Sequence, residues 1–137
     1  MNKNITVMTF GTFDILHPGH IFFLNEAKKY GDKLITIVAR DENVVKFKKQ
    51  TPLNNENIRL KNVENLSIAS ELRLGDKKNP LFWIQYYHPD IICLGYDQKG
   101  FLNLANDYIM KENIKIKRID SFKENIYKSS LLRKEMV

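Results

Sequence analysis

Residues 11–20 read Gly-Thr-Phe-Asp-Ile-Leu-His-Pro-Gly-His, and they follow directly on the apolar, β-branched run Ile5–Phe10. An apolar run of this kind, ended by a glycine, predicts a buried strand. Gly11 is expected to provide a tight turn, and Pro18 suits the first turn of a helix. A helix N-terminus offers unpaired N–H groups and a partial positive charge, so this junction favours an anion such as a phosphate.

Two histidines stand at the predicted helix start. His17 and His20 are three residues apart, so their side chains can lie on one face of the helix. Gly19 between them leaves room for a ligand to approach, and Asp14 stands close by in sequence. A zinc site is the alternative use of the pair. The neighbouring sequence supplies no cysteine or carboxylate at ligand spacing, and His88 is distant, so no protein-held metal is expected.

Apolar runs alternate with helical patterns along the rest of the chain. Further strands are predicted at Leu34–Ala39, Ala69–Leu74, Ile91–Leu94 and Ile114–Ile119. Helices are predicted at Pro18–Tyr30, Asn54–Leu66, Pro80–Tyr87 (with Asn79 as its cap) and Leu102–Glu112, with Asp41–Thr51 as a loop or short helix and a last helix capped by Ser129 or Ser130. This order predicts one α/β domain over residues 1–137, a doubly wound parallel five-stranded sheet with helices on both faces.

In such a sheet the ligand lies beyond the carboxyl ends of the strands. The sequence therefore predicts one functional edge built from four segments: Gly11–His20, Arg40–Lys49, Gly95–Lys99 and the residues near Ser129.

Composition narrows the choice of partner. The 137 residues include 22 Lys and Arg against 16 Asp and Glu, a net charge of +6, which suits an anionic partner or simply a lysine-rich solvated surface. The chain has no RNP, KH or helix-turn-helix signature, so a basic nucleic-acid-binding domain is only a distant alternative. No apolar run approaches the ~20 residues that span a bilayer, so no membrane partner is expected. The lone cysteine, Cys93, and the absence of a signal-peptide pattern indicate a cytoplasmic protein.

The stretch Gly11–His20 resembles the GTFDxxHxGH signature of the HxGH nucleotidyltransferase superfamily, in its cytidylyltransferase-like branch. The resemblance implies a Rossmann-like fold and an enzyme that joins a nucleoside triphosphate to a phosphorylated acceptor and releases pyrophosphate. It also implies that His17 and His20 donate hydrogen bonds to the α- and β-phosphates. The nucleotide site would include the residues Gly11, Thr12, Phe13, Asp14 and Gly19.

Later segments match this family in the same order. Val38-Ala-Arg-Asp41, with the lysines downstream, resembles the family's basic loop, which implies a catalytic role for Lys46 and acceptor-phosphate contacts for Lys48 and Lys49. Asn57-Ile-Arg59 resembles an element whose arginine contacts phosphate. Two further stretches resemble nucleotide-binding loops: Leu94–Gln98, with Gly95 and Asp97, and Tyr127–Ser130, with Ser129, Ser130 and Arg133.

Sub-family features indicate the substrates. The fragments Phe-Asp-Ile-Leu-His-Pro-Gly-His, Val-Ala-Arg-Asp and Leu-Gly-Tyr-Asp-Gln are most similar to archaeal-type FAD synthases, which adenylylate FMN. The terminal motif lacks the Arg-Thr-Glu-Gly lead of glycerol-phosphate cytidylyltransferases. The resemblance thus implies ATP and FMN as substrates, with Mg²⁺ on the triphosphate. A CTP-dependent enzyme acting on glycerol 3-phosphate or another phosphorylated alcohol or sugar is the alternative, and a catalytically inactive structural relative is a third.

Relatives of this kind are commonly dimers, and a homodimer is expected here too. Apolar contact between subunits could come from Phe22 and Phe23 or from the Phe82–Tyr87 segment.

Overall fold

Strands and helices alternate along the chain, with two consecutive helices before the third strand. The computed structural model describes residues 4–95 and 99–119. In chain order its elements are β1 (Thr6–Gly11), α1 (Pro18–Lys28), β2 (Lys33–Val38), α2 (Asp41–Lys48), α3 (Glu56–Asn65), β3 (Glu71–Leu74), α4 (Phe82–Tyr87), β4 (Ile91–Gly95), α5 (Lys99–Lys111) and β5 (Lys115–Ile119). Within these residues five parallel strands form one sheet in the order β3-β2-β1-β4-β5. The predicted Rossmann-like, doubly wound sheet is confirmed.

Alternate residues of each strand pack into two separate cores, one on each face of the sheet. On β1, Val7 faces the core that α1 and α3 cover, where it lies with Leu24, Ala27 and Val63. Its neighbour Met8 faces the core under α4 and α5, together with Ile84, Ala105 and Ile109. Both faces of a parallel sheet are normally buried, which explains why the strands appear in the sequence as continuous apolar runs.

One polar pair interrupts the apolar sheet. Thr9 of β1 and Thr36 of β2 are neighbours in register, and neither side chain is exposed. Their Oγ1 atoms lie 2.9 Å apart, so one hydroxyl donates a hydrogen bond to the other. The pair satisfies polar groups that would be costly to bury alone.

The strand order reverses at β1, which lies between β2 and β4. Because β1 and β4 are parallel, their carboxyl ends, Gly11 and Gly95, open onto the same edge of the sheet. Ligands of open α/β sheets bind in the crevice at such a reversal. The loop from β1 into α1 therefore occupies the position where the fold binds its ligand.

Three local predictions need correction. Helix α4 begins at Phe82 with Leu81 as its N-cap, because Asn79 and Pro80 belong to a preceding turn in which the Asn79 side chain accepts a hydrogen bond from the Leu81 N–H. Helix α5 begins at Lys99, before the predicted start. Gly11 does not make the turn through a positive φ. That conformation belongs to Phe13, with φ of 53°, and no glycine in the described residues shares it.

Gly31, between α1 and β2, offers a test of packing at a turn. A Cβ there would lie 2.6 Å from the Ile5 carbonyl oxygen, which also accepts hydrogen bonds from Asp32 and Lys33. Gly31→Ala should lower the free energy of unfolding by about 1–3 kcal/mol, since backbone must move. Gly75→Ala is the matched control, because the nearest atom would lie 3.8 Å away. Urea unfolding of the two variants measures the difference, and equal stabilities would contradict the expectation.

Candidate active site

His17 closes the N-terminus of helix α1. It is the N-cap residue, and its Nδ1 accepts a hydrogen bond of 3.0 Å from the Gly19 N–H. An Nδ1 that accepts carries no proton, so neutral His17 has its proton on Nε2. Pro18 follows at the first helical position, where it has no N–H to satisfy. The cap thus fixes both the orientation and the tautomer of His17.

His20 stacks against His17, as the spacing predicts. The two ring centroids are 4.0 Å apart at an interplanar angle of 39°. The Phe13 ring lies on His20 as well, at 5.5 Å between centroids. The sequence prediction that the two histidines share one face of the helix start is confirmed.

Both imidazoles are held in their neutral form. Burial, followed by the neighbouring charges of His17 and Lys48, lowers the pKa of His20 to about 3. Burial also lowers the pKa of His17. Neutral imidazoles at pH 7 can donate one N–H each without bringing a full charge into the site, and an arriving phosphate anion would raise both pKa values by favouring the charged form. The pair is suited to stabilise negative charge that develops on a phosphate.

The pKa of His20 leads to a prediction for stability. The folded state keeps His20 neutral, whereas the unfolded chain protonates it below its ordinary pKa of 6.5. Its contribution is therefore complete above about pH 6.5 and is lost as the pH falls below that value. The urea midpoint of the wild type should fall more steeply from pH 7.5 to pH 5 than that of His20→Ala. Parallel curves would contradict the expectation.

Helix α2 supplies the predicted lysines. Lys46, Lys48 and Lys49 are all exposed, and Lys49 ends the helix in the left-handed conformation with φ of 56°. Lys48 follows four residues after the buried Val44 and so lies on the same side of the helix as Val44. Its charge acts on His20, which connects this lysine to the histidine pair.

Asp14 connects the segment between α2 and α3 to the histidine loop, which we define as residues 11–20. Its carboxylate is buried and accepts hydrogen bonds from the N–H groups of Leu53 (2.8 Å) and Asn54 (2.9 Å). In return the Asn54 side-chain amide donates to the Asp14 carbonyl oxygen at 2.7 Å. These contacts fix the segment between α2 and α3 relative to residues 11–20.

Arg59 lies inside the protein with no exposed surface. Its guanidinium donates to the carbonyl oxygens of Thr12 (2.8 Å) and Asn54 (2.9 Å) and to the Asp41 carboxylate (2.6 Å). The phosphate contact that the resemblance implies for Arg59 stays a prediction. In this structure Arg59 joins the loop after β1, the Asn54 loop and the start of α2.

Sequence reasoning missed a set of contacts between the N-termini of α2 and α3. The Glu56 carboxylate accepts from the Asp41 N–H, and the Asp41 carboxylate accepts from the Glu56 N–H, so each acid caps the other helix. Arg40 donates to Glu56 and to the Gly75 carbonyl oxygen. In the sequence, acidic residues in the first turn of each helix indicate that they cap a helix start, but they do not show that Asp41 and Glu56 cap each other's helix.

The remaining predicted site residues are distributed as follows. Gly11 ends β1, Thr12 follows it at the start of the loop, Gly19 donates to His17, and Gly95 ends β4 on the same edge. The Phe13 side chain is buried and packs on the His20 ring. Four predicted residues lie outside the described part of the chain: Asp97, Ser129, Ser130 and Arg133.

A parallel sheet with a histidine pair at its β1–α1 junction defines an HxGH-type nucleotidyltransferase. The chain belongs to the cytidylyltransferase-like family, whose model matches residues 8–135. It is 40% identical over 136 residues to an FAD synthase of Thermoplasma acidophilum, covering 97% of this chain and 94% of that protein. It is 44% identical over 113 residues to an FAD synthase of Aciduliprofundum boonei, covering 82% and 75%.

Solved structures share the fold of this chain. A lipopolysaccharide core biosynthesis protein from Thermoplasma volcanium has a TM-score of 0.73 and 38% identity, over 88% of this chain and 98% of that one. A pantoate-beta-alanine ligase from Francisella tularensis has a TM-score of 0.57 at 14% identity, covering 88% and 59%, and so shares the fold alone. In the described residues, no helix is long and apolar enough to cross a membrane.

Proposed function

We propose that this chain transfers AMP from ATP to FMN, giving FAD and pyrophosphate. The observation that carries the proposal is the stacked pair His17–His20 at the start of α1, beside the carboxyl ends of β1 and β4. The similarity to FAD synthases over nearly the whole chain supports flavin as the acceptor.

The reaction needs no covalent enzyme intermediate, because both reactants already carry phosphates. A phosphate oxygen of FMN forms a bond to the α-phosphorus of ATP. The bond from that phosphorus to the oxygen bridging to the β-phosphate breaks, and pyrophosphate leaves with the electron pair. The acceptor oxygen is already anionic, so no base is required. Catalysis then consists of positioning and electrostatic stabilisation.

In this proposal each side chain meets a particular charge. His17 donates from Nε2, because Nδ1 is occupied by the Gly19 N–H. His20 donates alongside it to the phosphates where charge increases. Lys48, with Lys46 and Lys49 at the same end of α2, reduces the repulsion between the two anionic substrates.

Divalent metal enters the proposal with the nucleotide, as MgATP. Among the residues that the structure describes, no three His, Cys, Asp or Glu side chains are grouped as ligands for a metal ion. Mg²⁺ is commonly held through substrate phosphates and few carboxylates, so the described donor set fits a metal carried by the triphosphate.

The test is product formation across a small substrate panel. Purified protein with Mg²⁺ would receive ATP or CTP, each with FMN, glycerol 3-phosphate or phosphocholine, and pyrophosphate and FAD would be quantified. Riboflavin is the matched control acceptor, because it lacks the attacking phosphate. FAD formation from ATP and FMN alone is the expected result. Turnover with CTP and a phosphorylated alcohol would move the chain to the cytidylyltransferase alternative.

The proposal includes a cytoplasmic homodimer, with residues 1–137 as one catalytic domain. Phe82 and Tyr86 on α4 stack at 6.3 Å between ring centroids and are 39% and 64% exposed, so they offer apolar surface for a second copy. Phe22 and Phe23 are half-buried against the core on the opposite face of the sheet, which favours α4. Light scattering over a range of concentrations tests the dimer.

A further inference from the structure

Phe13 occupies an unusual position in the histidine loop. Its backbone φ of 53° lies in the left-handed region, which bulky residues rarely adopt. Its side chain is 3% exposed. The far end of its ring fills the space beside Gly11, where a Cβ would lie 2.6 Å from Cε2 and 2.7 Å from Cζ of the ring. The strained backbone at Phe13 thus accompanies a ring that is buried in the protein interior.

The orientation of His20 needs an explanation. Active-site histidines are usually oriented by a hydrogen bond at the nitrogen that faces away from the ligand. His17 follows this rule through its Nδ1 bond to Gly19. The Nδ1 of His20 is buried and has no hydrogen-bond partner within the described residues. Hydrogen bonding at Nδ1 therefore does not hold this ring.

Aromatic packing takes the place of that hydrogen bond. The His20 ring packs against two other rings, with His17 at 4.0 Å and Phe13 at 5.5 Å between centroids. The His17 ring is fixed by the hydrogen bond from the Gly19 N–H to its Nδ1. The Phe13 ring is fixed by its backbone conformation and by the space beside Gly11 that it fills.

We propose that Phe13 is a positioning residue for His20, and that Gly11 is a glycine because the Phe13 ring fills the space where its side chain would be. The ring keeps the imidazole against His17 and leaves Nε2 as the nitrogen that meets the ligand. It also excludes water from the buried Nδ1 edge, which keeps the imidazole in its neutral, donating form. The resemblance implied a nucleotide contact for Phe13, whereas this role needs no contact between the ring and the ligand.

The test combines Phe13→Ala, Phe13→Leu, Gly11→Ala and the double variant Gly11→Ala/Phe13→Ala. Phe23→Leu is the matched control for Phe13→Leu, because Phe23 is a half-buried phenylalanine of α1 that packs on the core. Three quantities are measured: kcat and KM, the NMR titration of the His20 ring, and the free energy of unfolding. The kinetic readings rest on the proposed function, whereas the NMR titration and the unfolding measurements use the protein alone.

Phe13→Ala should lower kcat about 10–100-fold with little change in KM for ATP, because a displaced donor is lost mainly in the transition state. The pKa of the His20 ring should rise in this variant from its wild-type value of about 3, because the ring loses part of its burial. Gly11→Ala should reproduce both effects by displacing the ring. In the double variant, Gly11→Ala should add nothing, since the ring that it displaces is gone.

Two results would overturn the proposal. One is a folded Phe13→Ala or Phe13→Leu variant whose His20 titration matches the wild type. The other is a loss of activity in Phe23→Leu equal to that in Phe13→Leu at equal loss of stability, which would mark a purely structural effect. A wild type inactive with ATP and FMN would refute the proposed function, and the NMR titration would still decide the role of Phe13.

Discussion

Replacing His20 with alanine is expected to lower kcat for FAD formation by about 10²–10³-fold, the usual loss for one preorganised donor to a charged transition state. The imidazole stacks on His17 at 4.0 Å, and its neutral form donates a hydrogen bond where charge develops. The ground-state phosphates need this donor less, so KM for ATP should change much less than kcat. Single-turnover pyrophosphate release with saturating ATP and FMN gives the rate directly.

His88→Asn is the control for this substitution. His88 is exposed at the end of α4 with φ of 47°, a conformation that asparagine tolerates. This variant should retain wild-type kcat. A His20→Ala protein that is folded and turns over at the wild-type rate would remove His20 from the mechanism.

Arg59→Met is expected to produce the largest loss of stability, about 3 kcal/mol in the free energy of unfolding. The substitution leaves the carbonyl oxygens of Thr12 and Asn54 without their donor and separates Asp41 from its charge partner. This loss of stability is at the lower end of the range expected when one partner of a buried ion pair is removed. The reason is that the Asp41 side chain is 40% exposed, so water can solvate it. Urea unfolding followed by circular dichroism measures the change.

Arg73→Met provides the comparison on the surface. Arg73 is exposed and pairs with Tyr87 and Glu71, so its loss should cost less than about 1 kcal/mol. Arg59→Lys should fall between the two, since an ammonium keeps the charge but cannot reach three separated oxygens in fork geometry. Equal midpoints for Arg59→Met and Arg73→Met would show that the buried contacts contribute nothing beyond a surface pair.

The parallel five-stranded sheet with helices on both faces could be predicted because its elements depend on local signals. Continuous apolar runs such as Ile91–Leu94 mark strands buried on both faces, and the residues 11–20 mark a strand-to-helix junction. That His17 and His20 lie together at the helix start could be predicted from their spacing of three residues. Properties that depend on a repeating pattern or on a short segment were therefore accessible from the sequence.

The supports of the site could not be predicted in the same way. The three acceptors of Arg59 lie 5, 18 and 47 residues away along the chain, and nothing in the local pattern around Arg59 distinguishes a buried arginine from an exposed one. The same holds for Asp14, whose amide partners come 39 and 40 residues later. Resemblance to a family identifies such residues as important, and only the folded geometry shows that they act on loops.

The buried hydroxyl pair Thr9–Thr36 constrains how this sequence can diverge. A change of either residue to valine leaves the other hydroxyl buried without this hydrogen-bond partner, which costs about 1–3 kcal/mol of stability. Changing both residues is nearly neutral. A protein with only one of the two changes is therefore less stable than either the original or the doubly changed protein. Descendants of this chain should retain both threonines or lose both together, so the two positions record shared ancestry as a single character.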